Sequence, residues 1–366
     1  MSKARQLADN GAATPHRNMV INGACQISQR SQSVTGIGAS SGYFTVDRIG
    51  FSSSGSAGRL TMTQASDGPV GFANCIKLDC TTADTSIAAG EILNLRTVLE
   101  GQNLQRINKG VTGAKETTVS FYVKASGSFT FVCELYDGTN TRHVAKSFAT
   151  TTSWNRIELN IPADVDDGSS PYADSNAGGL YLYIWLHAGS NYTSGTLQSS
   201  SWANVTDANR AVGISSFFSS TDNEFFITGL QYEVGSSATP FEHKSYAQDL
   251  IECQRYFRRL PTDSDATAYT GIANGLSYHS SSAFITLPLQ PPMRTAVSGS
   301  INGTLRATTA GNADCTVTGV SVSAAYNSRD CFFGDFTTDA NQTTGRAVTL
   351  ARENDADASL DLSAEL

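Results

Sequence analysis

Alternation in residues 180–187, LYLYIWLH, sorts eight side chains into two chemically distinct sets. With a strand period of two, Leu180, Leu182, Ile184 and Leu186 fall on one face, and Tyr181, Tyr183, Trp185 and His187 on the other. The aliphatic set must face a core. The aromatic set carries flat rings with hydrogen-bonding tips, which suit the C–H faces of sugar rings. The same face equally suits a subunit interface or the second half of a two-sided core, and this reading ranks ahead of glycan stacking. Tyr192 and Trp202, in the loop-like stretch that follows, share the ambiguity.

Other chemistry is sparse. ADVDDG at 163–168 groups carboxylates near a glycine, but the spacing of a calcium loop and its distal glutamate are missing. It reads as a solvated acidic turn, so no metal is expected. The histidines (16, 143, 187, 243 and 279) are dispersed, and no nucleophile–base arrangement is legible. Phosphate loops, dinucleotide fingerprints, nucleophile elbows and zinc-protease motifs are absent. A glycosidase needs only two separated carboxylates, which leaves glycan hydrolysis open. Most aspartates nevertheless sit where turn capping explains them. The reading is a non-enzymatic chain without a cofactor.

Ser, Thr, Asn and Gly are abundant, charged residues make up only 16%, and long helical periodicity is missing. That balance favours strands and turns. A formal charge of −8 with scattered Lys and Arg argues against nucleic acid and anionic membranes. The apolar run at 180–189 is too short to span a bilayer, and MSKARQLADNG lacks the apolar core of a secretory signal. Synthesis and folding in a cytoplasm are expected. Seven cysteines, with no C-x-x-C pair, read as buried free thiols.

Four segments follow. Residues 1–17 form an arm with about two turns of helix-compatible sequence, and 18–240 read as a jelly-roll-like β-sandwich. Its strand candidates include RLTMTQ, NCIKLDC, TTVSFYVKAS, SFTFVCELYDG, RHVAKSFATT, NRIELNIPA, GLYLYIWLHAG, VGISSFF and EFFITGLQYEV. Residues 241–260 form a packed joint, either one helix or a short helix through Glu252 followed by a strand; the second is preferred. Residues 261–366 form a second, smaller, sandwich-like β-module, with SLDLSAEL as its last edge strand. The fold class is all-β.

Residues 226–259 carry ITGLQYEVGSSATPFE followed by CQRYF, with PMR at 292–294. Upstream stand Asn22-Gly23, Gln29-Arg30, Tyr43, Asp47-Arg48, Glu100-Gly101, VSFYVK at 119–124 and Trp154 before Ile161-Pro162. Together these resemble a family of bacteriophage and prophage tail-fibre and tail-associated proteins, over about residues 18–294. The resemblance implies a virion location, assembly in a bacterial cytoplasm, attachment to other virion proteins through the N-terminal arm, and a host-surface glycan or receptor as external partner. Self-association as a homotrimer follows by analogy with fibres. A head fibre or capsid decoration is the alternative within that setting. A capsular polysaccharide depolymerase and a cellular carbohydrate-binding module are the alternatives of other classes.

Overall fold

The computed structural model describes residues 16–166, 168–261, 269–309, 315–339 and 342–366. The arm expected at 1–17 therefore lies almost wholly outside the described residues. The chain divides into two compact units, Met1–Asp249 and Leu250–Leu366, with the division inside the segment expected to be a joint.

Unit 1 is the expected sandwich. Its strands are β1 (Ser33–Ile37), β2 (Gly50–Ser54), β3 (Arg59–Ala65), β4 (Cys75–Thr82), β5 (Ile92–Glu100), β6 (Thr117–Ala125), β7 (Thr130–Asp137), β8 (Arg142–Ala149), β9 (Asn155–Ile161), β10 (Gly178–Ala188), β11 (Ala203–Asn204) and β12 (Glu224–Val234). A one-turn helix, α1 (Ser190–Thr193), follows β10. One six-stranded sheet runs β1-β3-β4-β12-β6-β9 and the other β11-β8-β7-β10-β5-β2. The chain crosses repeatedly between them, as a jelly roll does.

The aliphatic face of β10 lies in the core. Leu180, Leu182, Ile184 and Leu186 pack with Leu95, Phe131, Leu135 and Val144 from the same sheet, and with Leu78, Val123, Phe121 and Phe225 from the facing sheet. Phe131 and Phe225 meet edge-to-face, with ring centroids 5.4 Å apart, and tie the layers. The seven cysteines are free thiols, six of them buried. Burial pushes Cys25 up to about 12 and Cys75 to about 11, so these thiols stay protonated and inert.

Several local readings change. VGISSFF at 212–218 forms no strand; Phe217 and Phe218 lie at a short 3-10 turn and plug the core. β5 was not among the sequence candidates because ILNLRTVLE mixes both polarities, yet it pairs with β10 and β2. Asp164 of the supposedly solvated acidic turn is buried and binds Arg142 through two contacts of 2.8 and 3.1 Å. Asp167 lies outside the described residues.

Residues 241–260 contain α2 (Tyr246–Gln254) and then β13 (Phe257–Leu260), which matches the preferred helix-then-strand reading. Unit 2 continues with β14 (Gly271–His279), β15 (Ser282–Pro288), β16 (Ser298–Asn302), β17 (Leu305–Thr309), β18 (Cys315–Val322), β19 (Cys331–Thr338), β20 (Ala347–Arg352) and β21 (Ser359–Ser363). It is a closed barrel, β14-β15-β19-β18-β17-β20, with a three-stranded sheet β13-β21-β16. The sandwich-like expectation for this module thus gives way to a barrel, in which pairing of β14 with β20 leaves no open edge. β21 is the central strand of its sheet, not an edge, because SLDLS is buried along nearly its whole length.

Candidate functional site

The outer face of the second sheet of unit 1 gathers the polar and aromatic side chains of four neighbouring strands. Antiparallel register places Tyr181 beside Tyr136, Tyr183 beside Glu134, and Trp185 beside Val132 on β7. On the other side Tyr183 pairs with Arg96 and Trp185 with Asn94 on β5. His143 on β8 lies beside Tyr136. Strand pleating therefore makes one continuous surface from residues far apart in sequence.

Part of this surface is covered. Residues 190–216 fold back across it, held by Ala145 N–H donating to the Gln198 carbonyl at 2.7 Å, Ala211 N–H to Tyr192 at 2.9 Å, and Ser215 N–H to Thr130 at 2.7 Å. Under this cover Trp185 packs with Val132, Ala145, Ala188 and Ala211 and is only 1% exposed. Tyr192 sits on α1 with its ring 5.4 Å from Trp185. Trp202 donates Nε1–H to the Pro162 carbonyl at 2.9 Å and packs against the main core. His187 is completely buried. Of the six expected stacking residues, Trp185 and His187 are therefore not on an open surface, and Tyr192 and Trp202 help to hold the cover down.

The base of the site is an ion-pair network. Glu134 is buried and accepts hydrogen bonds from Trp185 Nε1 at 2.7 Å, His143 Nδ1 at 2.8 Å, and Arg210 Nε and Nη2 at 2.9 and 3.1 Å. Burial alone pushes the Glu134 carboxyl up, but His143 and Arg210 outweigh it and hold the group below its ordinary value. The Arg210 guanidinium lies 5.0 Å from the Trp185 ring centroid and 5.2 Å from that of Tyr136.

At the edge of the cover, Tyr136, Tyr181 and Tyr183 form a half-buried platform, with Tyr183 also packed against the Trp185 cluster. Tyr181 and Tyr183 are stacked, with centroids 5.9 Å apart and planes 16° from parallel. Tyr136 meets Tyr181 at 5.8 Å and Tyr183 at 6.3 Å. The surface continues through Arg96 to Tyr43, whose ring is 5.6 Å from the Arg96 guanidinium and 5.3 Å from that of Arg30. Gly50 of β2 leaves room for this ring, since a Cβ there would lie 3.0 Å from Tyr43. Among the described residues, the Arg96 side chain enters no hydrogen bond or ion pair, and its Nε is buried without a partner. The row from Tyr136 to Tyr43 spans four strands, about 15 Å at the usual strand spacing.

Tyr136, Tyr43, Arg96 and Arg210 were absent from the sequence candidates because each lies on a strand or loop remote from β10. Tyr43 was noticed only as part of the family resemblance. A different hollow, of about 490 Å³, lies on the outer face of the first sheet among Asp67, Lys77, Lys124, Glu224 and Phe226. Its charges are already paired, Lys77 with Glu224 at 2.5 Å and Lys124 with Asp67 at 2.7 Å.

The residues of the family resemblance brace the sandwich. Asn22 donates to the carbonyls of Ile27 and Asp47 at 2.9 and 3.0 Å, and buried Asp47 accepts from Gln29 Nε2 at 2.5 Å and Arg30 at 3.3 Å. Glu233 accepts from Thr239 N–H and Oγ1–H at 2.9 and 2.7 Å, which fixes the turn in EVGSSAT.

No family model and no curated protein sequence matches the chain. Among solved structures, the chain is similar to a family 11 carbohydrate-binding module from Clostridium thermocellum in complex with a β-1,3-1,4-mixed-linked tetrasaccharide. That match has 15% identity and a TM-score of 0.27, and covers 54% of this chain and 91% of the module. It is also similar to TmCBM61 in complex with β-1,4-galactotriose, at 9% identity and a TM-score of 0.29, covering 60% and 99% of the two chains. A third is the CBM22-1 xylan-binding domain of Paenibacillus barcinonensis, at 11% identity and a TM-score of 0.27, covering 57% and 94%. Similarity at these scores carries no argument about a ligand.

Proposed function

We propose that unit 1 is a glycan-binding module that uses the Tyr136–Tyr181–Tyr183 platform and Arg96, and that the chain serves as a host-attachment subunit of a tailed-phage virion. The observation that carries the first part is the platform itself. Three mutually packed, half-buried tyrosines adjoin a guanidinium that has no polar partner among the described residues. Flat rings offer stacking surface for sugar C–H faces, and the guanidinium offers donors to ring hydroxyls or carboxylates. The Glu134 network keeps the β10 aromatics in place before any ligand arrives, which lowers the ordering cost of binding.

The virion setting rests on the tail-protein resemblance over about residues 18–294. In this reading the N-terminal arm engages other virion proteins and the fibre is a homotrimer. Two experiments test the two parts separately. Binding of the purified chain to an array of bacterial surface glycans tests the module, with Tyr183→Ala expected to lose the signal; array binding that is absent or unaffected counts against it. Electron microscopy of intact particles tests the setting. Density for this chain on a tail appendage is expected, and its location on the head would replace the tail reading.

A further inference from the structure

His187 belongs to a buried cluster separate from the Glu134 network. Its Nε2 lies 2.9 Å from Glu91 Oε2, and its Nδ1 lies 2.8 Å from Ser216 Oγ. Asp84 completes the group: one ligand-type atom from each of Asp84, Glu91 and His187 falls within 4.8 Å of the others, and all three residues are buried. We propose that Asp84, Glu91 and His187 form a binding site for a divalent transition-metal ion of the zinc class.

Electrostatics favours a cation here. Asp84 is fixed as an anion by three donors: Ala57 N–H at 2.7 Å and Ser56 Oγ–H at 2.9 Å on one oxygen, and Ser86 N–H at 3.3 Å on the other. Glu91 is oriented by Ala88 N–H at 2.9 Å. Among the described residues neither carboxylate is paired with a lysine or arginine, so two buried carboxylates share a single imidazole. A cation placed among them would offset carboxylate charge that hydrogen bonds alone now satisfy, and buried charge without a counter-ion is costly.

Donor chemistry selects the ion. One imidazole nitrogen with carboxylate oxygens suits zinc and its neighbours, whereas calcium and magnesium favour all-oxygen shells. The supporting contacts are those a metal site uses: with a proton on Nδ1 donated to Ser216 Oγ, the Nε2 lone pair would be left for the ion, while backbone N–H groups aim both carboxylates. Zinc-ligand distances of about 2.0–2.2 Å at a tetrahedral angle place neighbouring ligand atoms about 3.4 Å apart. The 2.9 Å His187–Glu91 contact would therefore open by about half an ångström as the ion replaces the proton between them. Residues 85–90, which link two of the ligands, are exposed and give a short route from solvent.

The test uses the full chain, stripped with a chelator and titrated with Zn²⁺ or Co²⁺. One equivalent per chain is expected, with a rise in melting temperature, and an X-ray absorption spectrum showing imidazole and oxygen donors without sulfur. His187→Gln and Glu91→Gln should each weaken uptake at least about 100-fold, and Ser216→Ala, which only orients the imidazole, about tenfold. The absorption spectrum needs no variant and decides the matter if His187→Gln fails to fold. No uptake at tens of micromolar metal, sulfur ligation, or uptake unchanged in His187→Gln would each overturn the site. The first of these results would leave His187 and Glu91 as a hydrogen-bonded pair only.

Discussion

Trp185 Nε1 donates to the Glu134 carboxylate at 2.7 Å beneath the 190–216 cover, and this bond divides the aromatic face of β10 into two parts. Trp185 is on the structural side of that division. Tyr181, toward the start of the same strand, is on the open side, and Tyr183 stands at the boundary, partly buried and packed against the Trp185 cluster. One strand face thus serves both as a second small core and as a candidate recognition surface.

The division predicts opposite outcomes for neighbouring substitutions. Trp185→Ala should cost about 3–5 kcal/mol of stability, as expected for a large buried aromatic. Tyr181→Ala should cost less, because its side chain is only partly buried. Chemical denaturation of both variants checks this, and equal losses would show that the platform is core.

Glu134 predicts an acid-dependent loss of stability. Its folded form titrates below the ordinary value of 4.5, so its contribution is present above that value and lost as pH falls through the lower folded pKa. His143, Arg210, Tyr183 and Trp185 face it, and Asp207 shares Arg210 at 3.3 Å. Glu134→Gln should be less stable than wild type at pH 7 by about 3–5 kcal/mol, with the gap shrinking in acid below about pH 4.5. Urea unfolding from pH 7 to pH 3 measures the gap. A constant gap across that range would contradict the assignment.

Gly23 is predicted to tolerate no side chain. A Cβ there would lie 2.0 Å from the Leu230 carbonyl oxygen, next to the bond by which Leu230 N–H donates to the Gly23 carbonyl at 2.9 Å. Gly23→Ala should cost about 1–3 kcal/mol by forcing the turn away from β12. An unchanged thermal midpoint would show that this backbone approach is not needed.

In unit 2, the central position of β21 makes Leu360 a core residue, whereas Leu276 on β14 is 45% exposed. Leu360→Ala should cost about 2–5 kcal/mol and Leu276→Ala close to nothing. Reversed or equal effects, read by denaturation with a probe in unit 2, would favour the edge-strand arrangement.

The all-β class and the sandwich of unit 1 were legible because period-two alternation is local: Leu180, Leu182, Ile184 and Leu186 announce their own burial. What covers the opposite face was not legible. Whether Trp185 meets a ligand or Ala211 depends on where residues 190–216 return, and no local pattern encodes that. Glu91 and Asp84 were missed for the same reason, since only the fold brings them to His187. β21 read as an edge strand because alternation does not reveal how many neighbours a strand has. Barrel closure likewise depends on the long-range pairing of β14 with β20. The family-like residues Asn22, Asp47 and Glu233 were visible, but their bonds brace turns and mark a scaffold more than a ligand site.

The most direct measurement is calorimetric titration of the full chain with an oligosaccharide from a glycan that it captures on an array, comparing wild type with the Tyr181→Ala/Tyr183→Ala double variant. The double variant is expected to remain folded and to lose at least about tenfold in affinity, or about 1.4 kcal/mol. Undiminished affinity in a folded double variant would contradict the placement of the glycan site on this platform.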